Sequence, residues 1–115
     1  MKLKLLVIRT ADMVKLVEFY QLLGFGFAYH KHGNSPYHYS AAVDGTVIEI
    51  YPLGKNQTEA DSKLRLGFEL DDFDKAISLL KEAEVEFISE PLQTDFGFMA
   101  VVVDPDGRRV EIYKK

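Results

Sequence analysis

Two stretches of this chain share one frame. Asp44-Gly45-Thr46-Val47-Ile48-Glu49-Ile50-Tyr51 and Asp106-Gly107-Arg108-Arg109-Val110-Glu111-Ile112-Tyr113 both read D-G-x-x-(aliphatic)-E-I-Y, 62 positions apart. Each begins as a turn, because glycine after aspartate accepts the positive φ that tight turns demand. Each continues as a strand: Val110 and Ile112 alternate with Arg109, Glu111 and Tyr113, so the two sets point to opposite faces of a sheet. A glutamate kept at one place in a repeated strand pattern predicts that the chain contains a single supersecondary unit twice. Two such copies pack to share a core that neither buries alone.

The flanking sequence fits that expectation. Leu3 to Thr10 is an apolar run bounded by charge and reads as a strand. Asp12 is placed to cap a helix by accepting the orphan N–H groups of its first turn, and Met13, Leu16, Val17, Tyr20 and Leu23 follow at helical spacing. Gly24 sits where a left-handed C-terminal cap belongs. Strands are predicted over 25–31, 37–43 and 46–51, with His32-Gly33-Asn34-Ser35-Pro36 as a hairpin loop. The second unit repeats the order: an alternating strand over 64–70, a helix capped by Asp72, a strand over 85–88, a break at Glu90-Pro91-Leu92, and strands over 96–103 and 108–113. A shift of 60 superposes Asp12 on Asp72, Val17 on Ile77 and Phe27 on Phe87, and the later register becomes 62 through Pro105-Asp106. The same shift puts Glu84 where Gly24 stands. Either the second helix ends differently or Glu84 is strained, since a side chain at a left-handed position is costly. The chain is thus read as one domain, 1–115, of class α+β, with a βαβββ module over 1–51, a linker over 52–63 and a second βαβββ module over 64–115.

Composition narrows the functional classes. The absence of cysteine removes disulfides, thiol nucleophiles and thiolate metal sites together. A formal charge of −4, with only the short basic pairs Arg108-Arg109 and Lys114-Lys115, argues against a nucleic-acid partner. No stretch approaches the length of a membrane span, and the apolar run at the start is too short for a signal peptide, so the expected location is the cytoplasm. No P-loop, dinucleotide fingerprint or G-x-S-x-G elbow is present.

Two βαβββ units, the phrase Glu18-Phe19-Tyr20-Gln21-Leu22-Leu23-Gly24-Phe25, and Val103-Asp104-Pro105-Asp106-Gly107 before Val110-Glu111-Ile112 resemble the vicinal oxygen chelate superfamily. That group holds glyoxalase I, the extradiol dioxygenases and the bleomycin and fosfomycin resistance proteins. The resemblance covers nearly the whole chain. It implies a glyoxalase-like fold, in which tandem modules form a cupped mixed sheet around a cleft, and a homodimer. Where members of the group are metalloenzymes, it implies a divalent ion near four positions, one on the first and one on the last strand of each unit. Motif match carries the last-strand positions to Glu49 and Glu111. Counting back from the helix phrases carries the first-strand positions to Leu5 and Arg65, which the 60-residue shift also pairs. Leucine has no lone pair to offer, and arginine is permanently cationic. Two carboxylates alone do not make a Zn²⁺ site, so no metal cofactor is expected, with Glu49 and Glu111 the candidates should one bind.

Each candidate has a plainer reading. Glu49 and Glu111 face either solvent or a shared cavity, and their repetition favours the cavity. Arg65 is either a surface charge or the counter-ion that lets both carboxylates stay ionised. His30, His32 and His38 could form a metal-binding cluster, but beside a Gly/Asn/Ser/Pro loop they read as an exposed hairpin end. Tyr37, Tyr39, Phe96, Phe98 and Met99 are either core or the apolar and aromatic wall of a pocket. The expected ligand pocket therefore comprises Leu5, Glu49, Arg65 and Glu111 with those five residues. The leading functional expectation is a small-molecule binder that is metal-independent at the family positions. The alternatives are a metal-dependent lyase, isomerase or dioxygenase of the same superfamily, and an interaction module without a ligand.

Overall fold

The computed structural model describes residues 1–115. The first βαβββ module runs β1 (Leu5–Thr10), α1 (Met13–Leu22), β2 (Ala28–His30), β3 (His38–Val43) and β4 (Thr46–Pro52). The second runs β5 (Leu66–Leu70), α2 (Phe73–Glu82), β6 (Phe87–Thr94), β7 (Gly97–Val103) and β8 (Arg109–Lys114). Each module makes its own four-stranded mixed sheet, ordered β1-β4-β3-β2 and β5-β8-β7-β6. The first and last strands of a module pair in parallel and the other neighbours antiparallel. The helix supplies the length that a crossover into a parallel strand requires. Two compact units result, one of Met1–Gln21 and Phe25–Asp61, the other of Leu22–Gly24 and Ser62–Lys115.

Strand alternation decides which side chains each unit buries. Register sets Ile8 opposite Ile50 and Ala41 opposite Ile48, and all four are core, together with Leu16, Val17, Phe19 and Tyr20 of α1. In the second unit Ala100, Val102, Val110 and Ile112 share one face by the same parity and are fully buried, and Phe73, Ala76 and Leu80 of α2 are buried with them. Glu49 and Glu111 lie on the opposite face of their strands.

The helix caps form as the aspartates predict. Asp12 Oδ1 accepts the Lys15 N–H, and Asp72 Oδ1 accepts the Lys75 N–H, both at 3.1 Å. Of the two expectations for Glu84, strain is the one observed. Gly24 has φ +109° and Glu84 has φ +58°, so both helices end on a residue at positive φ. The Phe25 N–H donates to the Tyr20 carbonyl at 3.3 Å, and the Val85 N–H to the Leu80 carbonyl at 3.0 Å. Glu84 itself donates to Lys81, completing the paired bonds that hold a left-handed C-terminus in place.

Two predicted strands differ in extent. The strand expected over 25–31 shrinks to Ala28–His30, because Phe25 and Phe27 stack on one another and Phe25 meets the edge of Tyr20. The break expected at Glu90-Pro91-Leu92 is instead part of β6, which continues to Thr94. Proline is tolerated there because β6 is an edge strand and its pairing with β7 slips between Ser89 and Leu92, so no ladder bond needs the missing N–H.

The two turns before the repeated glutamates are built differently. Asp44 (φ +46°) and Gly45 (φ +82°) make a two-residue hairpin with both residues at positive φ. The longer second turn is held by a carboxylate. Asp104 Oδ1 accepts the backbone N–H groups of Asp106 and Arg108 at 2.9 and 3.0 Å. Its Oδ2 accepts Arg108 Nη1 at 3.1 Å, and Nη1 also donates to Asp106 at 2.9 Å. Asp104 and Arg108 are both buried. Arg108, read in the sequence as half of a basic pair, is therefore an internal cross-link.

Candidate functional site

The repeated glutamate sits at the same place in each sheet but among different neighbours. In the first unit Glu49 lies between Val7 of β1 and Ser40 of β3. Parity puts Leu5, Val7, Arg9, Val47, Tyr51, Ser40 and His38 on its face. His30 joins them, because β2 and β3 pair His30 with His38. Glu49 is only 7% exposed, whereas Leu5, Val7 and Val47 beside it are 51%, 37% and 36% exposed.

Three imidazoles surround that carboxylate. His38 Nε2 lies 3.1 Å from Glu49 Oε2, His32 Nε2 3.7 Å and His30 Nε2 4.0 Å. His30 and His32 approach each other Nε2 to Nε2 at 3.1 Å. His38 is fully buried and stacks on Tyr51, with centroids 4.2 Å apart and 14° between planes. Arg9 lies 5.1 Å from the same tyrosine ring. His32 is fixed by its loop: its N–H donates to Ser35 Oγ, and its carbonyl accepts the Ser35 N–H, each at 2.8 Å. The expectation of an exposed hairpin end is thus met at His32, two-thirds exposed, and overturned at His38, which the register turns inward. The H-x-H spacing and the histidine across the hairpin were the available signal. What the residues alone did not give was the register that sets both on the Glu49 face.

In the second unit Glu111 lies between Gly67 of β5 and Val101 of β7. Arg65 Nε donates to its Oε2 at 2.7 Å, and the Tyr113 hydroxyl donates to its Oε1. The carboxyl is held below its ordinary range, chiefly by the Tyr113 hydrogen bond, against the opposing effect of burial and with further help from the Arg65 hydrogen bond and charge. The phenol is correspondingly pushed above its usual 10.0 by its bond to Glu111. Tyr113 repeats Tyr51, and Met99, opposite Tyr113, stands where His38 stands in the first unit.

The pocket expected from sequence is only partly brought onto these faces. Leu5 shares the face of Glu49, and Arg65 and Met99 share that of Glu111. Tyr39 does not: it pairs with Ile50 and Tyr29, on the other side of the sheet from Glu49. Tyr37 goes with it, stacked on Tyr29 at 5.1 Å. Phe98 packs edge-on against Phe73 of α2, also on the far side from Glu111, and Phe96 is 83% exposed in the β6–β7 turn. Period-two alternation decides this, because odd and even positions of one strand cannot line the same wall.

Tandem βαβββ modules carrying a glutamate on each last strand define a glyoxalase-type protein. The sequence matches the model of the Glyoxalase/Bleomycin resistance protein/Dioxygenase superfamily over residues 2–112, and the chain belongs to that family. Among solved structures it resembles TnmS3, an antibiotic binding protein from Streptomyces sp. CB03234, at 24% identity and TM-score 0.75, covering 99% of this chain and 95% of that one. An integron cassette protein from the mobile metagenome of V. cholerae matches at 20% identity and TM-score 0.75, covering 99% and 94%. The oxidase ChaP-H2 matches at 18% identity and TM-score 0.78, covering 100% and 94%. No curated protein sequence matches. At these identities the structural likeness speaks for the fold, which hosts several chemistries. No helix is long and apolar enough to cross a membrane.

Proposed function

We propose that this protein binds a small molecule on its glutamate-bearing sheet faces and uses no metal held jointly by the family set Leu5, Glu49, Arg65 and Glu111. The observation that carries the reading is the Arg65–Glu111 pair. Arg65 Nε lies 2.7 Å from the carboxylate that the family resemblance makes a metal ligand. The guanidinium already supplies positive charge and directed donors there, and a divalent ion would have to displace it against its repulsion. Leu5 offers no donor atom at the matching place. The exposed strip of Leu5, Val7 and Val47 beside the buried Glu49 supports an apolar ligand with a polar anchor. That TnmS3 is an antibiotic binding protein makes antibiotics the first ligand class to try. The same reading takes the protein as a homodimer, as the resemblance implies, and light scattering on a sizing column checks the dimer.

A thermal-shift screen in EDTA, with antibiotics and other largely apolar small molecules, tests the function. A ligand specific for the folded state raises the melting temperature. The expected result is a concentration-dependent rise that survives EDTA and is lost in Arg65→Ala and Glu111→Gln. Ligand binding or turnover that requires a divalent ion and disappears in Glu111→Gln would overturn the reading in favour of a metal-dependent lyase, isomerase or dioxygenase.

A further inference from the structure

The first unit holds a donor set that the family positions do not describe. His30, His32, His38 and Glu49 each offer one ligand atom, and these four atoms all lie within 4.8 Å of one another. Three of the four come from β2, its following loop and β3, and only Glu49 belongs to the family set. Four ligands at about 2.0–2.1 Å around a tetrahedral ion stand roughly 3.3 Å apart. The separations His30–His32 (3.1 Å), His38–Glu49 (3.1 Å), His32–Glu49 (3.7 Å) and His30–Glu49 (4.0 Å) bracket that value.

Hydrogen placement points the same way. His38 Nδ1 is 3.0 Å from the Pro36 carbonyl oxygen, which can only accept, so Nδ1 carries the hydrogen. In the neutral imidazole Nε2 is then a bare lone pair, and it faces the Glu49 carboxylate oxygen at 3.1 Å inside the protein. Two acceptors at that distance need a proton or a metal ion between them, and the lone pair is aimed as a metal would require. A ring nitrogen bonded to a backbone carbonyl while the other is aimed at a shared centre is how metal-binding histidines are oriented. Tyr51, stacked on the His38 ring, fixes its plane. The second unit, with Met99 at the place of His38 and Leu92 opposite it at the place of His30, has no such set.

We propose that this cluster is a binding site for a divalent transition ion that prefers imidazole, Zn²⁺ first, held by Nε2 of His30, His32 and His38 and one oxygen of Glu49. Three neutral nitrogens and one carboxylate suit Zn²⁺, Ni²⁺ or Cu²⁺ and do not suit Mg²⁺ or Ca²⁺, which take oxygen ligands. His38 and Glu49 form the buried floor. His32, 66% exposed on its loop, is the outermost ligand and the one that an incoming group displaces. The site shares Glu49 with the family set but needs neither Arg65 nor Glu111.

Calorimetry on untagged protein, titrated with Zn²⁺ and separately with Mg²⁺, tests it, with Co²⁺ as a spectroscopic substitute. The expected result is one equivalent of Zn²⁺, no Mg²⁺ uptake, and the visible bands of tetrahedral Co²⁺. His32→Asn, which changes an exposed loop residue, should weaken Zn²⁺ binding at least tenfold, and His38→Asn should abolish it. Circular dichroism confirms that each variant is folded, and the His32 variant carries the test if the buried His38 variant is not. Glu111→Gln should retain Zn²⁺ here while losing the ligand response expected above, so the two proposals fail separately. No Zn²⁺ uptake, with nitrogen NMR showing His38 doubly protonated against Glu49, would overturn the site. So would uptake unchanged by His32→Asn, or uptake lost in Glu111→Gln.

Discussion

Arg65 and Glu111 are joined by a 2.7 Å charge-assisted hydrogen bond across the parallel pair β5–β8, and Tyr113 bonds the other carboxylate oxygen. The equivalent glutamate of the first unit is met by imidazoles from β2, its loop and β3 instead of by a guanidinium and a phenol. One repeated residue has thus been given two electrostatic settings by its neighbours.

Replacing Tyr113 by Phe should raise the Glu111 carboxyl toward its ordinary range, because the phenolic bond is the largest cause of its depression. Carbon NMR of the glutamate carboxyls over a pH titration reads this directly. The sign for stability follows from linkage: a carboxyl depressed in the folded state adds stability above its unfolded pKa, and that contribution is lost as pH falls through the folded pKa. The difference in stability between wild type and Tyr113→Phe should be full at neutral pH and shrink in that acidic window.

Arg65→Met should also raise the Glu111 carboxyl, yet cost little stability. The arginine side chain is 50% exposed, and ion pairs of that kind contribute about 0–1 kcal/mol. Urea unfolding checks the magnitude. A loss of several kcal/mol would show that Arg65 supports the fold rather than the site.

Glu84→Gly should stabilise the protein. Glu84 holds φ +58° at the end of α2, and a non-glycine residue there costs about 1–2 kcal/mol. Part of that gain is offset by the greater freedom of glycine in the unfolded chain, so an increase of about 1 kcal/mol in urea unfolding is expected.

Asp104→Ala should be the most damaging of these changes. It removes the more deeply buried of the two carboxylates that meet a buried guanidinium, and the acceptor of two backbone N–H groups in the turn before β8. Breaking a buried pair from one side costs about 3–5 kcal/mol. Thermal unfolding should show a fall well beyond that of Asp12→Ala or Asp72→Ala, each of which loses only a helix cap worth about 1 kcal/mol.

The sequence by itself determined the tandem modules, the two capped helices and the place of Glu49 and Glu111. Each of these rests on local chemistry: period-two and helical spacing, an aspartate at a helix start, a turn dipeptide before a strand. The continuation of β6 through Pro91 was not legible, since whether proline breaks a strand depends on whether that strand lies at an edge. Tyr37, Tyr39 and Phe98 looked like pocket wall because composition alone does not say which face of a sheet a residue takes. The same limit hid His38, a polar residue next to a turn-rich loop that the β2–β3 register carries inward to Glu49. Only pairing between strands distant in sequence decides register, and a shift of one residue would have sent His30 and His38 to the opposite side. Tertiary structure thus decided which of the legible residues meet.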